Sequence, residues 1–530
     1  MKRYLFTLFL MVFGLYLVAE DTPYAGKTMA VIGDSYVANH RRPKAETWHS
    51  RVAERLGMSY LNFGRNGGCI AFDRKREGFG PSILDRYTTI PDTVDCILVI
   101  AGHNDAYKIG TNADSLQMFR TALDSLCRGL RDHYPKAHLG FVTPWDVPRQ
   151  GFPEVNATIH EVCSANGIPV LDAATTSGIR PGDADYRQRY FQNTNDQAHL
   201  NAEGHGLLLD WGERFVRGVM NQDPDTAYVF TYFDTKKQAA GLCIAYSYDG
   251  YNWTAINDGK PVMRPNVGKD KLLRDPSICQ APDGTFHLVW TSSWKEPVIG
   301  HATSRDLVNW SEQQAIPVMK DYPTSRNAWA PELFYDEPSG TYYIFWASTV
   351  PGAKGIKTDG CVSENEYNHR IYCTSTKDFK KFSKTRLWYN PDFNVIDAAI
   401  VRDPQTGELI MAVKNENLNP PEKNIRITRA KSMKSGFDKK VSEPINKQLK
   451  DGLPAWSEGP APLFVGNDLV VFFDMYRSHR FGASVSHDHG KTWEDCTDRI
   501  SMPKGMSHGT AISVPRSVVD KLKSTEATKL

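Results

Sequence analysis

Four short segments hold the residue types that acyl transfer requires: Gly33-Asp34-Ser35, Asn62-Phe63-Gly64-Arg65-Asn66-Gly67-Gly68, Gly102-His103-Asn104-Asp105 and Asp196-Gln197-Ala198-His199. A serine hydroxyl is a weak nucleophile until a base takes its proton. His199 is the candidate base. Asp196, three residues before it, is spaced to fix the imidazole tautomer and stabilise the imidazolium. The tetrahedral intermediate needs donors aimed at its oxyanion. The Ser35 and Gly67 backbone N–H groups and the Asn104 side-chain amide suit that role, and glycine at 67 lets backbone approach a substrate closely. Taken singly, each segment also reads as an ordinary turn, loop or cap. Their order and their places at the ends of apolar runs give the set its weight.

The elements that must position these groups alternate. Apolar runs at 29–32, 96–101, 139–142 and 169–171 read as buried strands. Helical spacing fills 45–56, 113–132, 154–165 and 203–219. Strand–helix alternation predicts a parallel sheet covered on both faces. Ligands bind beyond the carboxyl ends of such strands, where Ser35 and Asn104 fall. The set resembles the SGNH (GDSL-type) esterase family over residues 27–220. The resemblance implies a flavodoxin-like α/β/α three-layer fold and hydrolysis of an acyl ester without a cofactor. It gives Ser35 as nucleophile, Gly67 and Asn104 in the oxyanion hole, and Asp196 and His199 in the triad. His49, His103, His160 and His205 are left outside the triad, and His205 is expected to face solvent on the last helix.

Past a linker at 221–226 the texture changes to short β-rich runs. A motif recurs five times: AYSYDGYNW (245–253), ATSRDLVNW (302–310), CTSTKDFKKF (373–382), RAKSMKSGF (429–437) and SVSHDHGKTW (484–493). The spacing falls in the range of propeller blades. An apolar strand precedes each copy, and a further short strand precedes four of those. The leader missing from the first copy stands instead at the chain end, at His508-Gly509-Thr510-Ala511-Ile512. The pattern predicts a five-bladed β-propeller over 227–515, closed by its last strand, which leaves few sheet edges exposed.

Inner propeller strands line a channel, so Asp275, Glu332, Asp397, Glu458 and His508 are expected near one axis. Converging carboxylates must bind a cation, shift their pKa values or do chemistry. Arg274-Asp275-Pro276, Trp329-Ala330-Pro331-Glu332, Ile396-Asp397, Ser457-Glu458-Gly459-Pro460 and His508-Gly509 resemble the motifs of glycoside hydrolase family 43. The resemblance implies an inverting exo-glycosidase, commonly acting on α-L-arabinofuranosides or β-xylosides. Asp275 would be the base, Glu458 the acid with a raised pKa, and Asp397 the modulator of that pKa. His508 would stand beside a water or a metal ion, with calcium a candidate channel cation. Glu332 stands where the family has Asp, and Asp397 is followed by Ala-Ala. Trp294, Trp329 and Trp456 are candidates to stack on a sugar, with Glu332 and His508 also facing substrate.

Composition sets the frame. A chain of 530 residues needs more than one core. A formal net charge of +2 and dispersed Lys and Arg give no reason to expect nucleic acid as a partner. Lys2 and Arg3, an apolar run over 4–18 and small Ala19 read as a signal peptide over 1–20, which predicts a secreted or periplasmic protein. No later segment is apolar enough to span a membrane. Nine cysteines without a Cys-x-x-Cys pair argue against structural zinc. Cys361 and Cys373 are spaced to pair across a hairpin, and buried thiols are the expectation for most. The whole reads as an exported, multidomain, bifunctional enzyme that removes an acyl group, acetyl by expectation, from a plant-type glycan and cleaves its glycosidic bonds. Two readings stand beside it: an esterase with a glycan-binding, non-catalytic propeller, and a lipase or thioesterase in the first domain.

Overall fold

The computed structural model describes residues 24–221, 223, 225–237, 239–358, 360–446 and 456–527. The expected leader lies outside them. Two compact units are present, an α/β unit and an all-β unit.

The α/β unit has five strands: β1 (Thr28–Gly33), β2 (Ser59–Gly64), β3 (Cys96–Ile100), β4 (His138–Val142) and β5 (Val170–Leu171). Their order in the sheet is 2-1-3-4-5. β1 pairs in parallel with β2 and β3, and β3 with β4. β3 is buried along its whole length and β1 along all but its first residue. Continuous apolar runs are what a sheet covered on both faces demands. β2 carries SYLNFG and is only half buried at the sheet edge. That mixed pattern is why the sequence did not mark it as a strand. The order turns on β1, so the loops after β1 and β3 open beside each other, as at a switch point of such a sheet. Ser35 follows β1 and His103-Asn104 follows β3.

Two helical expectations are corrected. The run at 203–219 is two helices, Ala202–Gly206 and Leu209–Asn221, and the run at 45–56 is a short 3-10 turn before the helix Trp48–Arg55. His205 is buried rather than solvent-facing. The nine cysteines are all buried and free, so Cys361 and Cys373 do not form a disulfide.

The all-β unit is a five-bladed propeller. Its sheets comprise 274–316, 329–389, 395–430 and 458–495, with a fifth joining Met506–Pro515 to Thr226–Asp234. That last pairing is antiparallel and sets the end of the chain into the first blade. The inner strands Arg274–Gln280, Trp329–Asp336, Val395–Arg402, Glu458–Val465 and Met506–Pro515 each touch the next, and the last touches the first.

The recurring motif has a physical basis. In four copies a Ser or Thr hydroxyl meets an Asp two residues on: Ser247–Asp249, Ser304–Asp306, Thr376–Asp378 and Ser486–Asp488. Each Asp Oδ1 then accepts two backbone N–H bonds from the turn that follows. This side-chain turn reverses the chain between outer strands. The fourth copy, RAKSMKSGF, has no Asp at that place and uses Ser432 and Ser435.

A Cβ added at Gly33 would stand 2.0 Å from the Ile100 carbonyl oxygen of β3. Backbone in a central strand cannot yield cheaply. Gly33→Ala is expected to destabilise the α/β unit by about 1–3 kcal/mol, read as a lowered unfolding midpoint by calorimetry.

Candidate functional site

In the α/β unit the four chemical segments meet. Ser35 begins a short helix, Ser35–Ala38, where the first N–H groups have no intrahelical acceptor. Asp34 caps it, accepting from Tyr36 N–H at 2.9 Å. The Ser35 hydroxyl donates to His199 Nε2 at 2.8 Å, and His199 Nδ1–H donates to Asp196 Oδ2 at 2.8 Å. Asp196 also accepts from the backbone N–H groups of Ala198 and His199. Burial raises the Asp196 carboxyl, but the His199 ring and these N–H groups outweigh it and hold the group below the usual range.

The surrounding loops are tied down one by one. Asn104 donates one amide proton to Gly68 O at 3.0 Å. An amide carries two, so one remains for an oxyanion. Asp105 accepts from Ile70 and Ala71 N–H and anchors the loop that carries Gly67, whose φ is +69°. Arg86 donates to Phe63 O and Gly33 O, clamping the ends of β2 and β1 together. Trp145 donates to Ala198 O at 2.9 Å and stacks on Tyr36, whose hydroxyl donates to His103 Nδ1 at 2.8 Å. Burial pushes His103 down to about 3, so it supports the site as a neutral acceptor. His49, His160 and His205 lie outside the Ser35–His199–Asp196 chain. Neither Asp105 nor Arg86 has a signal in one sequence beyond its neighbourhood to the motifs.

In the propeller the five expected residues also converge, though not at one level. Every inner strand carries a register shift at its start. The first bulged residues are Asp275, Ala330, Asp397, Gly459 and His508. The first four of these have positive φ, between 46° and 57°. A bulge re-aims side chains, and non-glycine residues hold such angles only where the surroundings impose them. Asp275, Asp397 and His508 therefore share one position, Glu458 stands one residue before it and Glu332 two after. A Cβ at Gly459 would meet the His508 ring at 2.3 Å, which explains glycine there.

His508 Nδ1 lies 3.4 Å from Asp275 Oδ1. Burial lowers the imidazole, but Asp397 and Asp275 outweigh it and lift His508 to about 9. Burial likewise raises Asp275, and Arg274 with His508 brings it down to about 2. Thr291 donates to Asp275 Oδ2 at 2.8 Å and accepts from Ala330 N–H, binding one blade to the next. Asp397 Oδ2 accepts from Gly459 N–H at 3.0 Å; burial pushes Asp397 up to about 6. Glu332 accepts from Thr510 at 3.1 Å, and burial lifts it to about 7. An imidazolium already fills the cationic place among these acids. Among the described residues no group of three or more His, Cys, Asp or Glu side chains is arranged to hold a metal ion.

Two site residues carried no sequence signal. Asp474 pairs in register with Glu458 and is pushed up to about 7, first by burial and then by Glu458. Lys414 is buried and reaches Glu458 at 3.1 Å and Glu416 at 2.7 Å. Lys423, also buried, joins Glu416 to Glu364. In a strand reading LIMAVKN a lysine looks like a residue facing solvent. Glu416 stands two residues on, and the neighbouring blade supplies Glu458. Of the tryptophans, Trp329 donates to Trp294 O at 2.9 Å, and the two rings meet edge to face. Trp294 is exposed, with the Arg274 guanidinium over its ring at 4.6 Å. Trp456 carries Arg477 over its ring at 3.8 Å.

The Asp275–His508 pair has a signed consequence. The folded value of Asp275 lies below its ordinary 3.8, so its share of stability is present above about pH 4 and fades as pH falls toward 2. The folded value of His508 lies above its ordinary 6.5, so its share is full below that and fades as pH rises through 9. His508→Gln is expected to flatten the fall in unfolding free energy between pH 6.5 and 9, measured by denaturant titration. Lys414→Met leaves two carboxylates without their shared cation and is expected to cost about 3–5 kcal/mol, seen as a lower urea midpoint.

Residues 31–207 match the model of the GDSL-like Lipase/Acylhydrolase family. Residues 223–520 match a model described as a probable glycosyl hydrolase domain. An α-L-arabinofuranosidase of Bifidobacterium longum subsp. longum is 20% identical over 200 residues, covering 33% of this chain and 18% of that protein. The chain thus spans about a fifth of the length of the curated relative it matches. Among solved structures, an α-L-arabinofuranosidase from Lactobacillus brevis is 19% identical, with 42% of this chain and 72% of that one covered and a TM-score of 0.33. A protein from Lactobacillus plantarum is 22% identical, with 36% and 97% covered and a TM-score of 0.32. Because the match over 223–520 takes in more than half of the sequence, this chain belongs to the probable glycosyl hydrolase family related to family 43.

Proposed function

We propose that the chain is a bifunctional carbohydrate-active hydrolase. Its α/β unit removes an acyl group, acetyl in the first instance, from a glycan, and its propeller cleaves a glycosidic bond in the same material. The observation that carries the first half is the unbroken chain Ser35–His199–Asp196, each bond 2.8 Å. Ser35 Oγ attacks the ester carbonyl as its proton passes to His199 Nε2, and Asp196 stabilises the imidazolium. The oxyanion is received by the Ser35 and Gly67 N–H groups and the Asn104 amide. His199 returns the proton to the sugar oxygen as it leaves, and water then attacks the acyl-serine, releasing the acid and restoring Ser35.

For the second half, the ionised Asp275 suits a base that activates water, Glu458 is the candidate acid, and Asp397 stands beside both. The named Bifidobacterium relative supports an α-L-arabinofuranoside as substrate. The leader composition supports export. A second reading, a glycan-binding propeller without catalysis, is favoured by one observation: both carboxyls assigned to the chemistry face buried cations, Lys414 at 3.1 Å and His508 at 3.4 Å.

Single variants separate these readings. Ser35→Ala is expected to cut acetate release from acetylated oligosaccharides by about 10⁴-fold or more and to leave glycoside cleavage intact. Asp275→Asn and Glu458→Gln should abolish release from chromogenic α-L-arabinofuranosides and β-xylosides. Unchanged glycoside release in Glu458→Gln would sink the catalytic assignment of the propeller.

A further inference from the structure

His40 lies against the base of the α/β unit. Its ring is stacked on His199 with centroids 4.5 Å apart and planes 18° apart. The two hydrogen bonds of His199, to Asp196 and to Ser35, both leave in the ring plane. They fix the axis of the imidazole and resist rotation about that axis weakly. A flat ring on one face resists it directly.

The backbone spends strain to put His40 there. Asn39 and His40, just past the Ser35 helix, are consecutive non-glycine residues with φ of 58° and 42°. Such conformations persist where surroundings over-determine them, and they gather at functional sites. The surroundings here are specific. Asn39 is buried; its Nδ2 donates to Pro43 O at 2.6 Å and its Oδ1 accepts from His205 Nε2 at 3.2 Å. His205 Nδ1 accepts from Trp48 N–H at 3.3 Å, which puts the ring proton on Nε2. Gln192 and the Arg42 N–H both donate to Asn39 O. Burial holds His205 down at about 3, neutral as this pattern requires. The charged and titratable groups around the stack are Asp196, His103 and Arg41.

We propose that His40 is a positioning residue for the ester chemistry: stacked on His199, it keeps Nε2 of that ring turned to Ser35, and the buried Asn39–His205 contact sets the stack. The proposal rests on the serine-hydrolase reading above. The test uses the full chain as wild type, His40→Ala, His40→Phe and Ser35→Ala. Hydrolysis of p-nitrophenyl acetate gives kcat and KM, and proton NMR follows the low-field signal of the His199 Nδ1–H held by Asp196. His40→Ala is expected to lower kcat roughly 10- to 100-fold, with KM changed by no more than about twofold, and to broaden the low-field signal. His40→Phe, which keeps a flat ring, should restore both. Wild-type kcat and a sharp signal in His40→Ala would overturn the proposal, and so would a His40→Phe variant as impaired as His40→Ala. Hydrolysis that survives Ser35→Ala would instead remove the serine-hydrolase reading, and the NMR comparison would still decide whether His40 holds His199.

Discussion

The ion pair between His508 and Asp275 ties the last strand of the chain to the first complete inner strand of the propeller. A closed ring of blades needs its final strand held, and the pair does this where Asp397 and Glu458 also act on the imidazole. Removing His508 would leave several carboxyls in a low-dielectric channel with no cation at their centre, a cost that buried charge does not bear unpaired. The same constraint orders the rest of the channel. Asp275, next to the cation and Arg274, ionises readily, whereas Glu332, with hydroxyl partners, is raised by burial. Lys414 and Lys423 repeat the arrangement one layer outward, alternating with Glu458, Glu416 and Glu364.

The α/β unit solves the opposite problem. Its buried histidines are kept neutral and used as fixed dipoles: His103 accepts a hydrogen bond from the Tyr36 hydroxyl, and His205 links Trp48 to Asn39. His199, half-buried, instead has a carboxylate at its Nδ1 and reaches the serine. Chemical role follows from which partner a ring meets, since the imidazoles are identical as residue types.

Much of this was legible in order along the chain. The four segments around Ser35 and His199 could be read because strand-end loops of a parallel sheet bring distant residues together at one edge. The blade repeats could be read because each Ser/Thr-x-Asp turn makes its own hydrogen bonds within a few residues. Local chemistry of that kind leaves a local signature. β2 escaped because an edge strand need not be apolar, and His205 was misplaced because one polar residue on a short helix carries no mark of burial. Asp474, Lys414 and His40 escaped for a related reason. The partners that give them a role, Glu458 for Asp474 and Lys414 and His199 for His40, come from other strands or from residues far along the chain.

What the sequence by itself determined is the set of groups and the order of elements: a serine, a histidine and an aspartate at the edge of one sheet, and five strand starts, four bearing acids and one a histidine, in five blades. Only the tertiary structure decided which carboxyls ionise, which histidine is charged and which are neutral, and how the rings are held. The physical reason is that covalent order fixes identity and local turns, whereas charge state and orientation depend on burial and on partners, and both are properties of packing.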